Sequence, residues 1–226
     1  MNLTLFDLDG TLIETDSDHA FGEFLVAIGW ADGDTFRRRN DAFYEDYQAA
    51  RLDIDAYIEF ATAAWRNRPL AEALAMRERF MQEVMQPWLD GRALALVRRH
   101  QTAGDLVAII SATNEFITRP IADAFGVADL IAVELTRDDD DRCTGGVRGV
   151  PSFREGKVVR VEQWLALNGR RHADFGRVTV YSDSTNDLPL LEWATHPVAT
   201  NPTVDLAAVA RERGWPLLNL FKEEQP

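Results

Sequence analysis

Short apolar runs alternate with helical stretches along most of this chain. The runs are rich in β-branched residues, and they occupy residues 3–8, 105–111, 129–135, 177–183 and 196–200. Strands that are buried on both faces of a sheet have this continuous apolar character. The order therefore predicts an α/β fold, with a Rossmann-like parallel sheet core that carries helices on both faces.

A helical insertion is predicted directly after the first strand. Residues 17–88 contain no strand-like run, and their spacing indicates about four helices. One apolar stripe consists of Phe21, Phe24, Leu25 and Ile28. We expect an α/β catalytic core of residues 1–15 and 89–226 and a helical bundle cap of residues 16–88.

The charge balance restricts the partners of the chain. A net charge of -13 disfavours nucleic acid and anionic membranes as partners. No apolar run approaches the roughly 18 residues of a membrane-spanning helix, and the N-terminus lacks a secretory signal pattern. We expect a cytoplasmic protein with no nucleic-acid or membrane partner, and the sequence leaves its oligomeric state open.

An acidic segment and the cysteine within it are predicted to have no catalytic role. Cys143 is the single cysteine, so an internal disulfide is excluded. Residues 137–146 include four successive aspartates, but the ligand spacing and bidentate glutamate of a calcium loop are missing. We expect an exposed loop or hairpin tip there.

Reactive side chains lie at the predicted carboxyl ends of the strands, where open parallel sheets bind ligands. Asp7 and Asp9 end the first strand, Ser111 ends the second, and Asp183 ends a later one. Lys157 lies at the predicted start of a helix. A magnesium ion with oxygen ligands would balance this excess of carboxylates.

Two of these carboxylates suit phosphoryl transfer. Asp7 can attack a phosphate monoester and form an aspartyl phosphate. Asp9 lies on the same side of an extended strand, where it can protonate the leaving alkoxide and later accept a proton from water. The turn at Gly10 and Thr11 lets backbone amides approach the phosphate.

The order of these motifs resembles that of the haloacid dehalogenase superfamily, and the resemblance spans the whole chain. The sequence DLDGT at residues 7–11 is similar to its first motif, Ser111 to its second, Lys157 to its third, and SDSTND at residues 182–187 to its acidic fourth. The inserted helices resemble the cap of the phosphoserine-phosphatase-like branch, subfamily IB.

The resemblance implies a magnesium-dependent phosphatase of a small phosphorylated metabolite. It implies that Mg²⁺ is held by Asp7, the Asp9 carbonyl and Asp183, with Asp187 orienting bound water and Lys157. The implied phosphate-binding residues are Gly10, Thr11, Ser111, Ala112 and Lys157. The implied catalytic residues are Asp7, Asp9, Ser111 and Lys157, and the implied substrate-binding residues are Asp16 and Asn186.

Single residues of this set also have ordinary structural interpretations. Alone, Ser111 would be a turn serine and Lys157 a solvated helix lysine. Ser184 and Asp187 match a capping box, so Asp187 could begin a helix. The four motifs occur together and in order, which favours the functional interpretation.

The sequence departs from the phosphoserine-phosphatase pattern at three positions. That branch usually has glycine where this chain has Ser182, and often has glycines in place of Ala112 and Thr113. These departures affect the substrate end of the site and remove no catalytic group. They argue against phosphoserine as the substrate more than against a phosphatase.

Asp16 bears on the identity of the substrate. It lies where phosphoserine phosphatases have a glutamate for the substrate amino group, but it could also cap a helix. Phosphoserine would also need a cation for its carboxylate. The insertion offers Arg37, Arg38, Arg39, Arg51, Arg66 and Arg68.

Residues 16–25, 40–47 and 149–165 are similar to enzymes of the same branch that act as histidinol-phosphate phosphatases. This similarity implies histidinol phosphate as substrate, and with it a role in amino-acid biosynthesis. The substrate has an amine and an imidazole but no carboxylate. Four aromatic residues could stack on the imidazole or form the core of the cap: Phe21, Phe43, Tyr44 and Tyr47.

Other functions remain open at this point. The first alternatives are a phosphoserine phosphatase, a broad phosphatase of small metabolites and a phosphotransferase. An aspartate-phosphorylated signalling module is less compatible, because receiver domains are about half this length and lack the insertion. An inactive interaction protein would have no reason to keep all four motifs. The histidines show no metal-ligand spacing.

Overall fold

A six-stranded parallel sheet lies at the centre of the protein, and it confirms the predicted α/β fold. The computed structural model describes residues 1–49 and 51–221. The strands of the sheet are β1 (Leu3–Phe6), β2 (Leu106–Asn114), β3 (Asp129–Val133), β6 (Val178–Ser182), β7 (His196–Thr200) and β8 (Leu217–Leu218). Their spatial order is β3-β2-β1-β6-β7-β8, and every neighbouring pair is parallel.

Helices cover both faces of this sheet. Outside the insertion they are α5 (Gly91–Thr102), α6 (Glu115–Ala124), α7 (Glu155–Leu167), α8 (Leu188–Trp193) and α9 (Val204–Arg213). Since successive strand residues face opposite sides, Leu5 and Ile110 pack in the apolar cluster that includes α7, α8 and α9. Phe6 and Ile109 pack in the cluster on the other face, which includes α5 and α6.

The insertion after β1 is helical, as the sequence predicts. It contains α1 (Ser17–Ala27), α2 (Gly33–Gln48), α3 (Ile54–Thr62) and α4 (Leu70–Phe80), followed by a π-helical turn (Met81–Met85) and a 3-10 turn (Gln86–Trp88). The described residues between 17 and 88 include no strand. The insertion and the sheet share one apolar cluster, so the division into core and cap domains stays a prediction.

Aromatic rings join the insertion to the sheet layer. The Phe80 ring meets the Phe21 ring edge to face, with centroids 5.0 Å apart. Trp65 stacks on Phe116 of α6, with centroids 4.2 Å apart. Phe21, Phe80 and Phe116 are buried. Phe21 thus belongs to the apolar core, which was one of the two roles open to it.

The acidic segment forms a hairpin, as expected. The antiparallel strands β4 (Leu135–Arg137) and β5 (Cys143–Val147) flank an exposed tip at residues 138–142. The thiol of Cys143 is free and buried. No helix in the described part of the chain is long and apolar enough to cross a membrane.

Phe80→Ala should lower the free energy of unfolding by about 3–5 kcal/mol, because it removes a buried ring and leaves a cavity between insertion and sheet. Urea denaturation followed by circular dichroism would measure the change. Leu167→Ala removes a side chain that is 88% exposed and should change stability by less than about 0.5 kcal/mol. Equal effects of the two substitutions would contradict this account of the core.

Candidate active site

A tight turn after β1 carries the first-motif residues. The strand ends at Phe6, and the backbone N–H of Asp7 still donates to Tyr181 O of β6 at 2.9 Å. Asp9 therefore lies in the turn, so the prediction that the strand extends to residue 8 was wrong. Gly10 has a φ of +72°, and a Cβ there would lie 2.4 Å from Asp183 Oδ2. Only glycine fits this position.

Lys157 lies at the centre of the acidic residues. Its Nζ donates to Asp7 Oδ1 at 2.8 Å and to Asp187 Oδ2 at 2.7 Å, and all three side chains are buried. Burial alone would lower the pKa of Lys157, but the charges of Asp187 and Asp7 outweigh it and raise the pKa above that of free lysine. Lys157 is thus a buried ion-pair partner rather than a solvated helix lysine.

Asp183 faces Asp7, and no cation among residues 1–49 and 51–221 forms an ion pair with it. The Thr11 hydroxyl lies 3.3 Å from Asp7 Oδ2 and 3.2 Å from Asp183 Oδ1. Burial and the charges of Asp7 and Asp187 raise the pKa of Asp183 well above its ordinary value. Two carboxylates this close, with one lysine already shared, form an oxygen donor set that suits a hard divalent cation.

The described residues contain no group of three or more acidic, histidine or cysteine side chains that could hold a metal ion. The ligand set implied by the resemblance differs, because it combines two carboxylates with a backbone carbonyl. The charges of Asp7 and Asp183 fit that set. Asp187 accepts hydrogen bonds from Lys157 and from the hydroxyl of Ser182, the latter at 2.8 Å. Ser182, which stands where phosphoserine phosphatases usually have glycine, therefore holds the side chain of Asp187 in place.

The carboxyl group of Asp9 is hydrogen-bonded on both oxygens. Oδ1 accepts the N–H of Ser17 at 2.7 Å, and Oδ2 accepts the hydroxyl of Thr113 at 3.1 Å. Burial and the charge of Asp16 raise the pKa of Asp9 to about 7. A carboxyl group with such a pKa can both give and take a proton near neutral pH.

Ser111 lies inside β2 rather than at its end. The strand continues to Asn114, with a shift of register between Ile110 and Asn114, so the predicted strand end was three residues too early. Ser111 Oγ accepts the N–H of Thr113 at 3.0 Å, and its carbonyl accepts the hydroxyl of Ser152 at 2.6 Å. Ser111 is therefore held at its backbone and at its side chain.

A cavity lies between the sheet edge and the insertion. Its lining from the core side is Asp7, Asp9, Ser111, Ala112 and Thr113. Its lining from the insertion is Asp16, Asp18, His19, Asn40, Phe43, Tyr44, Tyr47, Leu52, Ile54 and Tyr57. No lysine or arginine is among these described lining residues. The six candidate arginines of the insertion thus all lie outside the cavity lining.

Both interpretations of Asp16 agree with its position. Its Oδ1 accepts the N–H of His19 at 2.8 Å, which caps α1, and the residue also lines the cavity. Sequence reasoning missed its neighbour Asp18, a buried residue on the same cavity wall. Burial and the charges of Asp16 and Asp9 raise the pKa of Asp18 well above its ordinary value. The alternation Asp16, Ser17, Asp18 was the available signal.

The aromatic residues of the insertion divide between two roles. Phe43, Tyr44 and Tyr47 line the cavity, and the Phe43 ring meets Tyr57 edge to face at 5.3 Å. Asn186 does not line this cavity in the described residues. Its Nδ2 donates to the backbone carbonyl of Tyr47 at 2.9 Å, so it joins the loop after β6 to α2.

Comparison with known proteins gives a family match and two informative relatives. Residues 4–192 match the model of the haloacid dehalogenase-like hydrolases. The chain is 44% identical to a histidinol-phosphatase of Neisseria meningitidis serogroup C (strain 8013), over 96% of this chain and 98% of that protein. It is 31% identical to phosphoserine phosphatase SerB1 of Mycobacterium tuberculosis (strain ATCC 25618 / H37Rv), over 93% of this chain and 68% of that protein.

Solved structures share this fold, and two of them are informative. A protein of unknown function from Bordetella pertussis Tohama I has a TM-score of 0.92 and 47% identity, over 97% of this chain and 99% of that chain. A substrate-bound phosphoserine phosphatase has a TM-score of 0.66 at 15% identity, over 96% of this chain and 92% of that chain. At 15% identity, the second likeness supports the fold alone.

The free energy of unfolding of the metal-free protein should fall as pH rises from about 4 to about 7. Burial raises the pKa of Asp7 from 3.8 to about 7 despite Lys157, and the pKa of Asp9 rises to a similar value. Between those limits the folded state binds more protons than the unfolded state, and this stabilisation is lost as the groups ionise. Denaturant titrations at a series of pH values would measure the decline.

Asp7→Asn and Asp9→Asn should each flatten that decline, because each removes one such group. Asp139→Asn changes an exposed carboxylate and serves as the matched control. If the variant with both Asp7→Asn and Asp9→Asn lost stability with pH as steeply as the wild type, the raised pKa values of these two groups would be contradicted.

Proposed function

Because this chain belongs to the haloacid dehalogenase-like hydrolases, we propose that it hydrolyses the phosphate monoester of a small amine through an aspartyl phosphate on Asp7. The family and the histidinol-phosphatase relative support phosphatase activity. The support for Asp7 as nucleophile is its place in the cavity, with Lys157 on one oxygen and Thr11 on the other.

In the first half-reaction, a carboxylate oxygen of Asp7 forms a bond to phosphorus while the bond from phosphorus to the ester oxygen breaks. Asp9 gives its proton to that ester oxygen, which leaves as an alcohol. The ammonium group of Lys157, 2.8 Å from Asp7 Oδ1, balances negative charge at the nucleophile. Ser111 binds a phosphate oxygen through its hydroxyl group.

In the second half-reaction, water attacks the phosphorus of the aspartyl phosphate. Asp9, now ionised, accepts a proton from that water, and the bond between Asp7 and phosphorus breaks. Inorganic phosphate leaves, and both carboxyl groups return to their starting states. One group performs both proton transfers, which requires a pKa near neutrality.

The residues that would hold Mg²⁺ are Asp7, Asp183 and the carbonyl of Asp9. The ion would supply positive charge to the phosphate oxygens. Asp187, held by Lys157 and Ser182, would orient the water around the ion.

The cavity supports an amine-bearing substrate without a carboxylate. Asp16 and Asp18 place two carboxyl groups at the wall formed by the insertion, and no lysine or arginine is among the described lining residues. A carboxylate such as that of phosphoserine would lie beside these carboxyl groups without a lysine or arginine partner, which costs several kcal/mol when the carboxylate is buried. An amine with an imidazole would find two carboxylates and the rings of Phe43, Tyr44 and Tyr47. Histidinol phosphate has this chemistry, and the 44% identical relative is a histidinol-phosphatase.

The value of kcat/KM should be at least about 100-fold higher for histidinol phosphate than for phosphoserine, because only phosphoserine brings an unpaired carboxylate into the acidic cavity. Release of inorganic phosphate measures both rates, and p-nitrophenyl phosphate serves as a reference without either group. Equal and low rates on all three esters would contradict the substrate and indicate a broad phosphatase.

Asp7→Asn should abolish turnover, because an amide cannot act as the nucleophile. Asp9→Asn should lower turnover by roughly 100- to 10,000-fold, the usual contribution of an acid and base catalyst, with some phosphoenzyme still formed. Steady-state assays and acid-quench detection of phosphoenzyme distinguish the two variants. Near-normal turnover by Asp7→Asn would refute the mechanism.

EDTA should stop turnover by the wild type, and added Mg²⁺ should restore it.

A further inference from the structure

The carboxyl group of Asp9 is held from two separate parts of the fold. Ser17, whose N–H donates to Oδ1 at 2.7 Å, is the first residue of α1 in the insertion. Thr113, whose hydroxyl donates to Oδ2 at 3.1 Å, belongs to β2 of the sheet and is 6% exposed. The contact with Thr113 is the one that a side-chain substitution can remove.

Thr113 also contacts Ser111, the serine that binds phosphate in the proposed mechanism. Its backbone N–H donates to Ser111 Oγ at 3.0 Å. The serine oxygen is thereby used as an acceptor, and its own O–H remains available to donate to a phosphate oxygen. One residue thus touches both the proton-transfer group and a phosphate-binding group.

We propose that Thr113 is a positioning residue, which aims the carboxyl group of Asp9 at the ester oxygen of the substrate. The proposal rests on the function proposed above, in which Asp9 protonates the leaving group. The two hydrogen bonds fix both oxygens of Asp9, so the plane of its carboxyl group is set before the substrate arrives.

A hydroxyl group suits this position for a chemical reason. Asp9 is a carboxylic acid before the first proton transfer and a carboxylate after it. The Thr113 hydroxyl donates to one lone pair of Oδ2 and leaves the other lone pair free to carry the proton that passes to the ester oxygen. Thr113 can therefore keep its contact with Asp9 through both half-reactions.

The leaving group determines how much the aim of Asp9 matters. An alkoxide is strongly basic and needs the proton as the ester bond breaks. A nitrophenolate is stable as an anion and leaves with little help. Misplacement of a catalytic group by about 1 Å can cost roughly 100-fold in rate. Loss of the Thr113 hydroxyl should thus slow alkyl esters and spare activated aryl esters.

Thr113→Val removes the hydroxyl and keeps the shape of the side chain, while Thr113→Ser keeps the hydroxyl as the matched control. The measurement is kcat/KM for substituted phenyl phosphates, whose leaving groups differ in basicity. Histidinol phosphate, an alkyl ester, is added as the substrate with the most basic leaving group. This parameter reports the steps up to phosphoenzyme formation. We expect Thr113→Val to lose roughly 10- to 100-fold on the most basic leaving groups and little on p-nitrophenyl phosphate.

In a plot of log kcat/KM against leaving-group pKa, Thr113→Val should therefore have a steeper slope than the wild type, and Thr113→Ser should not. Parallel lines for all three proteins would overturn the positioning role. An equal loss by Thr113→Val on every ester would give such parallel lines. Thr113→Ala replaces the valine variant if urea denaturation shows that it does not fold. A wild type inactive on every ester would instead overturn the proposed function.

Discussion

One buried ammonium group joins three distant parts of the chain at the site. Lys157, from the first turn of α7, donates to Asp7 after β1 and to Asp187 after β6. A buried charge is stable only when it is paired and hydrogen-bonded, and removal of one partner typically costs about 3–5 kcal/mol. The position of each carboxylate thus depends on the lysine. The sequence contains only two lysines, Lys157 and Lys222, so this chemistry rests on a residue type that the chain otherwise avoids.

In the proposed function, the remaining carboxylates account for the binding of a phosphate ester within an acidic protein. Asp183 and Asp9 have no cation partner among the described residues, and their pKa values are raised by burial first. Such groups suit a divalent ion at the phosphate end. Asp16 and Asp18 line the same cavity, where the proposed substrate would place its amine. In this proposal, a metal ion separates the carboxylates from the phosphate at one end of the cavity. At the other end, the carboxyl groups contact the amine directly.

Much of this arrangement could be predicted from the sequence, because the edge of a parallel sheet brings strand ends together whatever the loops do. That rule was sufficient for Asp7 and Asp183. It was insufficient for Ser111, whose strand continues past it through a shift of register. The contacts of Asp9 also depend on tertiary packing: Ser17 contributes a backbone amide, which carries no sequence signal, and Thr113 appeared only as a departure from a glycine pattern. Asp18 was missed because helical periodicity alone does not tell which polar face of α1 meets a cavity.

The hydrogen bond from Asn186 to the carbonyl of Tyr47 bears on the length of the cavity. It connects the loop that carries Asp183 and Asp187 to the helix that supplies Phe43 and Tyr44 to the cavity wall. The phosphate end and the far wall are then held at a set separation by a direct bond rather than by packing alone. We expect chain length, in addition to charge, to decide which esters span the cavity.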